Sequence, residues 1–405
     1  MSVTGAGRPL LLLVGSGDRR YREYILASVS REYRVWLLDA HEPSWHRPYL
    51  IGHTTLDSRD PEALVAAALA VPAEAGPPAG VLCYDEWTVH AAAVAASKLG
   101  LPGPDPDAVA ACRDKAATRA ALAAAGVHQP ESVPVGGVAQ ARAAAERLGY
   151  PVVVKARAMA GSIGVVRVDD PRALPAAYAA AHAPGGGVLV ERYVDAPEIS
   201  VDAAVVDGTV IPLAVARKTV GQAPFFEEMG HLVDAADPLL HDPALLARLT
   251  QVHAAIGYRR GLTHTEFRLT RDGPALIEIN ARLGGDFIPY LGHLATGVDL
   301  AMAAADIAAG RPPRLAPTRR AAAGVRFLYP PGDGTVVGIR VADPLPAGVH
   351  AALATAEPGQ HLALPPTAYL TRYGYVIAAG SGPRIVSRTL KAAPDVIELD
   401  YRLDS

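Results

Sequence analysis

The stretch Thr263–Asp286 holds the residues best placed to do chemistry. It reads as two strands, Thr263–Thr270 and Ala275–Ala281, separated by Arg271-Asp272-Gly273-Pro274. Pairing about a turn centred on Asp272 would set Glu266 opposite Glu278. Strand alternation puts Glu278, Asn280 and Arg282 on one face and Ile277, Ile279 and Ala281 on the other. Two carboxylates facing each other across a ladder repel. A cation between them removes that cost. Carboxylates with an amide oxygen are hard ligands, suited to Mg2+ and poorly suited to zinc. The competing reading is a solvated acidic face with Arg282 as its salt-bridge partner. Asn280 is the single asparagine of the chain, which favours the metal reading.

Composition singles out the cations. Of 38 basic residues only Lys98, Lys115, Lys155, Lys218 and Lys391 are lysines. Abundant Ala, Arg, Gly and Pro point to a coding bias, so a persisting lysine suggests a need for a compact point charge. Lys98 and Lys391 read as surface residues. Lys155 ends a buried Val152-Val153-Val154 strand, where it must find an anion or reach solvent. Six residues on, Gly161-Ser162-Ile163-Gly164 forms a loop whose backbone N–H groups can approach an oxyanion closely. That loop alone could equally be a turn; together with Lys155 it suggests a phosphate site. Lys115 sits in a helix expected from about Ala108 to Ala125, and in isolation it reads as surface. Lys218 precedes an irregular stretch, Gly221–Gly230. That stretch and the next residue carry Phe225, Phe226, Glu227, Glu228 and His231. It reads either as a substrate loop or as a structured connection with a core histidine.

The elements around these residues follow from periodicity. Pro9–Val14 reads as a buried strand, Gly15-Ser16-Gly17 as a turn and Tyr21–Ser30 as a helix. Tyr33–Leu38 and Gly80–Cys83 are further strands, followed by a helix ending at Leu99. Alternating strands and helices predict an open parallel α/β sheet. Arg20 stands where a dinucleotide fingerprint needs its third glycine, so the glycine pair reads as a strand-to-helix turn. Asp85 and Glu86 follow a strand end, where ligands gather in such sheets, or else they begin the next helix. Gly100–Asp107, with three prolines, reads as a linker. Pro151–Lys155, Val165–Val168, Val188–Val194 and Ile199–Val206 read as strands, with a break at Pro184–Gly187. Asp207-Gly208 reads as a hairpin turn, and Pro243–Ile256 as a helix. A mixed segment begins near Ala321. The expected units are 1–107, 108–195, 196–320 and 321–405.

The chain has 405 residues, 50% hydrophobic and 20% charged, which describes a globular protein. A net charge of −3 excludes nucleic-acid binding driven by a basic surface. Apolar runs such as Leu10–Val14 and Ala63–Val71 fall short of the roughly 20 residues a membrane span needs. No secretion signal is evident. Cys83 and Cys112 give neither a disulfide framework nor a zinc site, so a cytoplasmic location is expected.

Taken in order, these pieces resemble the ATP-grasp superfamily of carboxylate–amine ligases over about residues 1–320. The parts are Arg113-Asp114-Lys115, Lys155 with its glycine loop, Glu191-Arg192-Tyr193-Val194 with Glu198, Glu266, and Glu278-Ile279-Asn280-Ala281-Arg282. Within the superfamily the chain looks most like the L-amino-acid ligases, which make dipeptides. That likeness is carried by Phe226–His231, Asn280–Gly285, Arg326–Pro330 and Arg372–Val376.

The resemblance implies an N-terminal α/β domain, a two-lobed α+β unit holding ATP, and a C-terminal mixed lobe. It places Lys115 and Lys155 on ATP phosphates, with Gly161, Ser162 and Gly164 closing over them and Lys218 assisting. Glu191, Tyr193 and Val194 would line the adenine, and Glu198 would take the ribose hydroxyls. Glu266, Glu278 and Asn280 would hold Mg2+, with Mn2+ as a substitute. Arg282, Lys155 and Lys115 take the catalytic roles, Arg282 stabilising an acyl phosphate and the tetrahedral species after it. Glu228, His231, Arg282, Gly284, Gly285 and Asp286 match the substrate pocket, and His231 is the base suggested by side-chain chemistry. Relatives vary position 286; here Asp286 either favours a small or cationic first substrate or caps the next segment.

The expected reaction joins an amino acid to a second amino acid or amine, giving ADP, phosphate and a dipeptide or peptide-like specialised metabolite such as an antibiotic. The competing expectations are a nucleoside or carrier-protein partner, and a non-catalytic ATP-binding regulator. The expected partners are small molecules, with no nucleic acid and no membrane, and a homodimer is in keeping with the superfamily.

Overall fold

The structure, a computed structural model, describes residues 7–182 and 186–404. Pro184 and Gly185, part of the expected break, lie outside the described residues.

The N-terminal sheet is parallel throughout, in the order Gly52–Thr55, Arg34–Asp39, Leu10–Val14, Pro78–Leu82. Leu10–Val14 is buried along its whole length, as a continuous apolar run in a parallel sheet should be. Its apolar face does not close a separate core. Leu11, Leu13, Ile25 and Leu37 pack in one cluster with Leu213, Leu262, Leu283, Leu300 and Ile307 from beyond residue 200. Gly80 permits this contact, since a Cβ there would lie 1.9 Å from the Ala308 carbonyl oxygen.

The next unit is a four-stranded antiparallel sheet, ordered Ser132–Val135, Val188–Arg192, Val152–Ala156, Val166–Val168. Its own core contains Val152, Val154, Val166, Val168, Leu174, Val188 and Val190. An eight-stranded antiparallel sheet follows, ordered Gly273–Asn280, Gly261–Thr270, Glu198–Val206, Thr209–Gly221, Glu227–Asp234, Ala322–Leu328, Gly374–Gly380, Val349–Ala354. A three-stranded sheet of His361–Leu362, Gly334–Val341 and Ile397–Leu403 completes the C-terminal part.

Two expectations are corrected. The helix expected over 108–125 is two helices, Pro106–Arg113 and Lys115–Ala124. Asp114 breaks it in an extended conformation and caps the second helix by accepting the Ala116 N–H at 2.9 Å. Lys115 is consequently aimed inward and buried, contrary to its surface reading. The irregular Gly221–Gly230 stretch is half strand: Gly221 ends one strand, Glu227 opens the next, and only residues 222–226 form the connection. Glu227–Asp234 pairs with Ala216–Gly221, and Lys218 lies inside a strand opposite His231. The missed signal was alternation shared by two neighbouring strands, which a single run does not display.

Other expectations agree closely. Asp207 and Gly208 both have positive φ, +50° and +85°, as the hairpin turn requires. Pro243–Ile256 is a helix with those bounds. Among the described residues no helix is long and apolar enough to cross a membrane.

Candidate active site

A cleft of about 1230 Å³, its open mouth included, lies between the four-stranded and eight-stranded sheets. Lys115, Lys155, Gly161, Ser162, Glu191, Tyr193, Val194, Glu198 and Lys218 line it, as do Glu228, Glu266, Glu278, Asn280, Arg282, Gly285 and Asp286. Three of the sequence-predicted residues are elsewhere. Gly164 packs against the helix Leu174–His182, where a Cβ would come 3.0 Å from the Ala180 carbonyl. His231 and Gly284 are buried behind the wall of the cleft.

The hairpin places its acids opposite one another: Glu266 pairs with Glu278 and His264 with Asn280. The turn is tighter than expected, because Thr270 pairs with Gly273. A one-residue bulge beside Phe267 restores the Glu266–Glu278 register.

Each acid faces a cation. Glu266 lies 3.0 Å from Lys218 Nζ and 3.2 Å from His264 Nε2. Glu278 lies 3.2 Å from Lys115 Nζ, which also donates to the Met159 carbonyl at 2.6 Å. The Asn280 amide nitrogen, once its ambiguous orientation is assigned from its neighbours, donates to Glu278 at 3.2 Å and Glu86 at 3.3 Å. Three hard oxygen donors on two adjacent strands suit Mg2+, so these residues fit the ion that the resemblance implies.

Lys218 is almost fully buried and touches three carboxylates: Glu198 at 2.8 Å, Glu228 at 2.6 Å and Glu266 at 3.0 Å. Burial opposes its charge, yet the three acids hold it firmly protonated. Glu198 is shared with Arg268, at 2.6 Å.

At the far wall, Lys155 Nζ is 2.7 Å from Glu191. Arg119, which sequence reasoning passed over, binds the same carboxylate at 2.7 and 3.2 Å and donates to the carbonyls of Leu276 and Ile277. Burial would raise the Glu191 pKa, but Arg119 and Lys155 bring it from 4.5 to about 2. Burial moves Lys155 the other way, downward, with Arg119 and Lys115 adding to it and Glu191 opposing.

A pH prediction follows. A depressed carboxylate stabilises fully above its ordinary pKa and loses that contribution as pH falls through the folded value. From pH 4.5 down to about 2 this group should cost the fold about 3 kcal/mol. Urea unfolding of the native chain and of Glu191→Gln over that range should show a flatter pH slope in the variant.

The substrate side is equally paired. Glu228 lies 2.8 Å from His231 Nε2, and Asp286 lies 3.6 Å from it. Burial opposes a charge on His231, yet these two acids raise its pKa. That direction disfavours the neutral imidazole which the candidate base role requires. Asp286 is gripped by Arg372 at 2.8 and 2.6 Å, and Arg372 stacks over Phe327 at 3.6 Å. Its carboxylate is therefore not free to meet a cationic substrate, and its capping reading also gives way to this ion pair. Glu86, at the strand end noted in the sequence, bonds both Arg282 and Arg113.

These cations and acids share a cleft between two α+β lobes, and residues 148–290 match the ATP-grasp domain model. An uncharacterised protein of Sinorhizobium fredii is 32% identical over 318 residues, 73% of this chain and 63% of that protein. Phosphoribosylamine–glycine ligase of Mycobacterium leprae is 30% identical over 293 residues, 68% of each chain. The chain thus spans just under two thirds of the first relative and slightly more of the second. The chain belongs to the ATP-grasp carboxylate–amine ligases, whose members form C–N bonds and release ADP. Residues 326–402 match the L-amino acid ligase C-terminal domain 2. The fold agrees: an L-amino acid ligase from Bacillus licheniformis superposes with a TM-score of 0.82 at 23% identity, over 98% of this chain and all of the other.

Proposed function

We propose that this protein is an ADP-forming ligase that joins the carboxylate of one amino acid to the amine of a second amino acid or amine. The observation that supports it most is one cleft holding Glu266, Glu278 and Asn280 beside Lys115, Lys155, Lys218 and Arg282, in a chain that ends in an L-amino acid ligase domain.

A carboxylate does not acylate an amine in water, because its oxygen is a poor leaving group. Transfer of the γ-phosphoryl group of ATP to that oxygen gives an acyl phosphate and ADP, and the oxygen then leaves as part of inorganic phosphate when the amine attacks. The transfer needs charge neutralisation and in-line placement. Lys115 and Lys155 would hold the triphosphate, and the Gly161–Ser162 backbone would close over it. Glu266, Glu278 and Asn280 would hold Mg2+, which neutralises phosphate charge when bound. Tyr193 and Val194 would flank the base, and Glu198 would take the ribose. Glu228 would orient the first amino acid, with Gly285 and Asp286 shaping the wall behind it. Arg282, released from Glu86, would stabilise the acyl phosphate and the oxyanion formed as the amine attacks. The closed glycine loop would keep water from the acyl phosphate.

The test is ADP release with MgATP and pooled amino acids, followed by product mass. ADP that requires a pair of amino acids, with a product one water lighter than their sum, is the expected result. ADP release without such a product would overturn the dipeptide reading.

A further inference from the structure

Behind Glu266 lies a buried pair that the mechanism above does not use. Asp202, in the strand Glu198–Val206, has no exposed surface. It stands directly across the ladder from His264, and the His264 Nδ1–H donates to its Oδ1 at 2.6 Å. The other ring nitrogen of His264 donates to Glu266 Oε1 at 3.2 Å. Lys218 reaches the same Oε1 at 3.0 Å. Both contacts thus fall on one oxygen, and among the described residues no hydrogen bond reaches Oε2, which leaves its lone pairs for another partner.

The second oxygen of Asp202 is committed as well. The Gly284 N–H donates to Oδ2 at 3.4 Å. A Cβ on Gly284 would come 2.9 Å from both Asp202 Oδ1 and His264 Nδ1. One buried pair is therefore fitted against two parts of the cleft: the carboxylate of Glu266 and the turn that carries Arg282, Gly285 and Asp286. A glycine at 284 is required by this close approach, since its own φ is unremarkable for any residue.

The physical reason for such a pair is orientation. Mg2+ demands near-octahedral geometry, and a carboxylate on a flexible stem meets that demand only when its torsions are fixed. Outer partners that fix a ligand typically account for about 10–100-fold in metal affinity. We propose that Asp202 and His264 are positioning residues that aim Glu266 Oε2 at the divalent cation and, through Gly284, seat the Arg282–Asp286 turn. This rests on Glu266 being a cation ligand, as proposed above.

The test reads metal binding directly, with Mn2+ titrated into the full chain and followed by electron paramagnetic resonance in the presence of a non-hydrolysable ATP analogue. Expected for His264→Gln and the isosteric Asp202→Asn is an Mn2+ Kd raised about 10–100-fold, with metal-free binding of the analogue unchanged. Gly284→Ala, which touches no expected ligand, should weaken Mn2+ as well. In an Asp202→Ala background it should add less than in the native chain, because one of the two side chains its Cβ would meet is gone.

Glu266→Gln is the control that separates the two claims. If it loses Mn2+ while His264→Gln and Asp202→Asn stay within about twofold of the native chain, far below the usual outer-partner effect, the positioning role is overturned and the ligand assignment stands. If Glu266→Gln itself binds Mn2+ normally, the ligand assignment falls and the inference falls with it. Circular dichroism melts identify any variant that fails to fold, and the fully additive behaviour of Gly284→Ala and Asp202→Ala would count against the shared seat.

Discussion

Replacing Glu278 and Asn280 together by alanine should abolish ADP formation, a loss of at least about 10³-fold, because the cation that would neutralise phosphate charge loses two of its three proposed ligands. The effect is on chemistry rather than folding. Glu278 borders the cleft, and the Asn280 amide nitrogen donates to Glu278 and Glu86. Lys115 loses its carboxylate partner, so thermal stability should fall somewhat, but the chain should stay folded, and a nucleotide should still bind through Lys155 and the glycine loop. ADP release assayed across a range of Mg2+ concentrations checks this. Turnover at the native rate would overturn the metal assignment.

Arg119→Met has the opposite signature: a large loss of stability. Its guanidinium and Glu191 are both almost wholly buried, and Lys155 shares the same carboxylate. Removing one partner of a buried pair leaves charge without compensation and costs about 3–5 kcal/mol. Two carbonyls, those of Leu276 and Ile277, lose their donor in the same change. These carbonyls belong to the strand that carries Glu278, so ATP affinity should fall together with stability. Arg119→Lys should recover only part of the loss, since a point charge cannot serve the carboxylate and both carbonyls. Urea unfolding measures it; a change under about 1 kcal/mol, typical of an exposed pair, would show that Arg119 is not a buried anchor.

Much of this site was legible in the sequence because its chemistry violates the composition of the chain. An asparagine and three lysines stand out against a background of arginine and alanine, and all four border the cleft. Period two in Glu278, Asn280 and Arg282 was enough to face them one way. The same period would have found His264, two residues before Glu266 and across from Asn280. It was passed over because a histidine flanked by threonines looks like core. Arg119 follows Lys115 by four residues, one helical turn, yet arginines are too common here to draw notice. Arg372 and Glu86 reach the site from strand ends far away in the chain. Their partners, Asp286 and Arg282, are joined to them only by tertiary packing, which no local pattern encodes. The break at Asp114 was missed for a related reason. Alanine-rich sequence favours continuing the helix, and a capping aspartate overrides it locally.

The unbroken ladder from Gly273–Asn280 across to Val349–Ala354 bears on how such enzymes can be recombined. The expected border at 320/321 falls between the strands Glu227–Asp234 and Ala322–Leu328, which are hydrogen-bonded neighbours. A chain ended there would present the edge of Glu227–Asp234 to solvent as a template for aggregation. That same strand carries Glu228 and His231, and Arg372 comes from the far side of the border. Tail and pocket are consequently inherited together. A chimera that exchanges tails between relatives also exchanges one wall of the proposed substrate pocket, so changes of selectivity should travel with the C-terminal eighty or so residues as a single block.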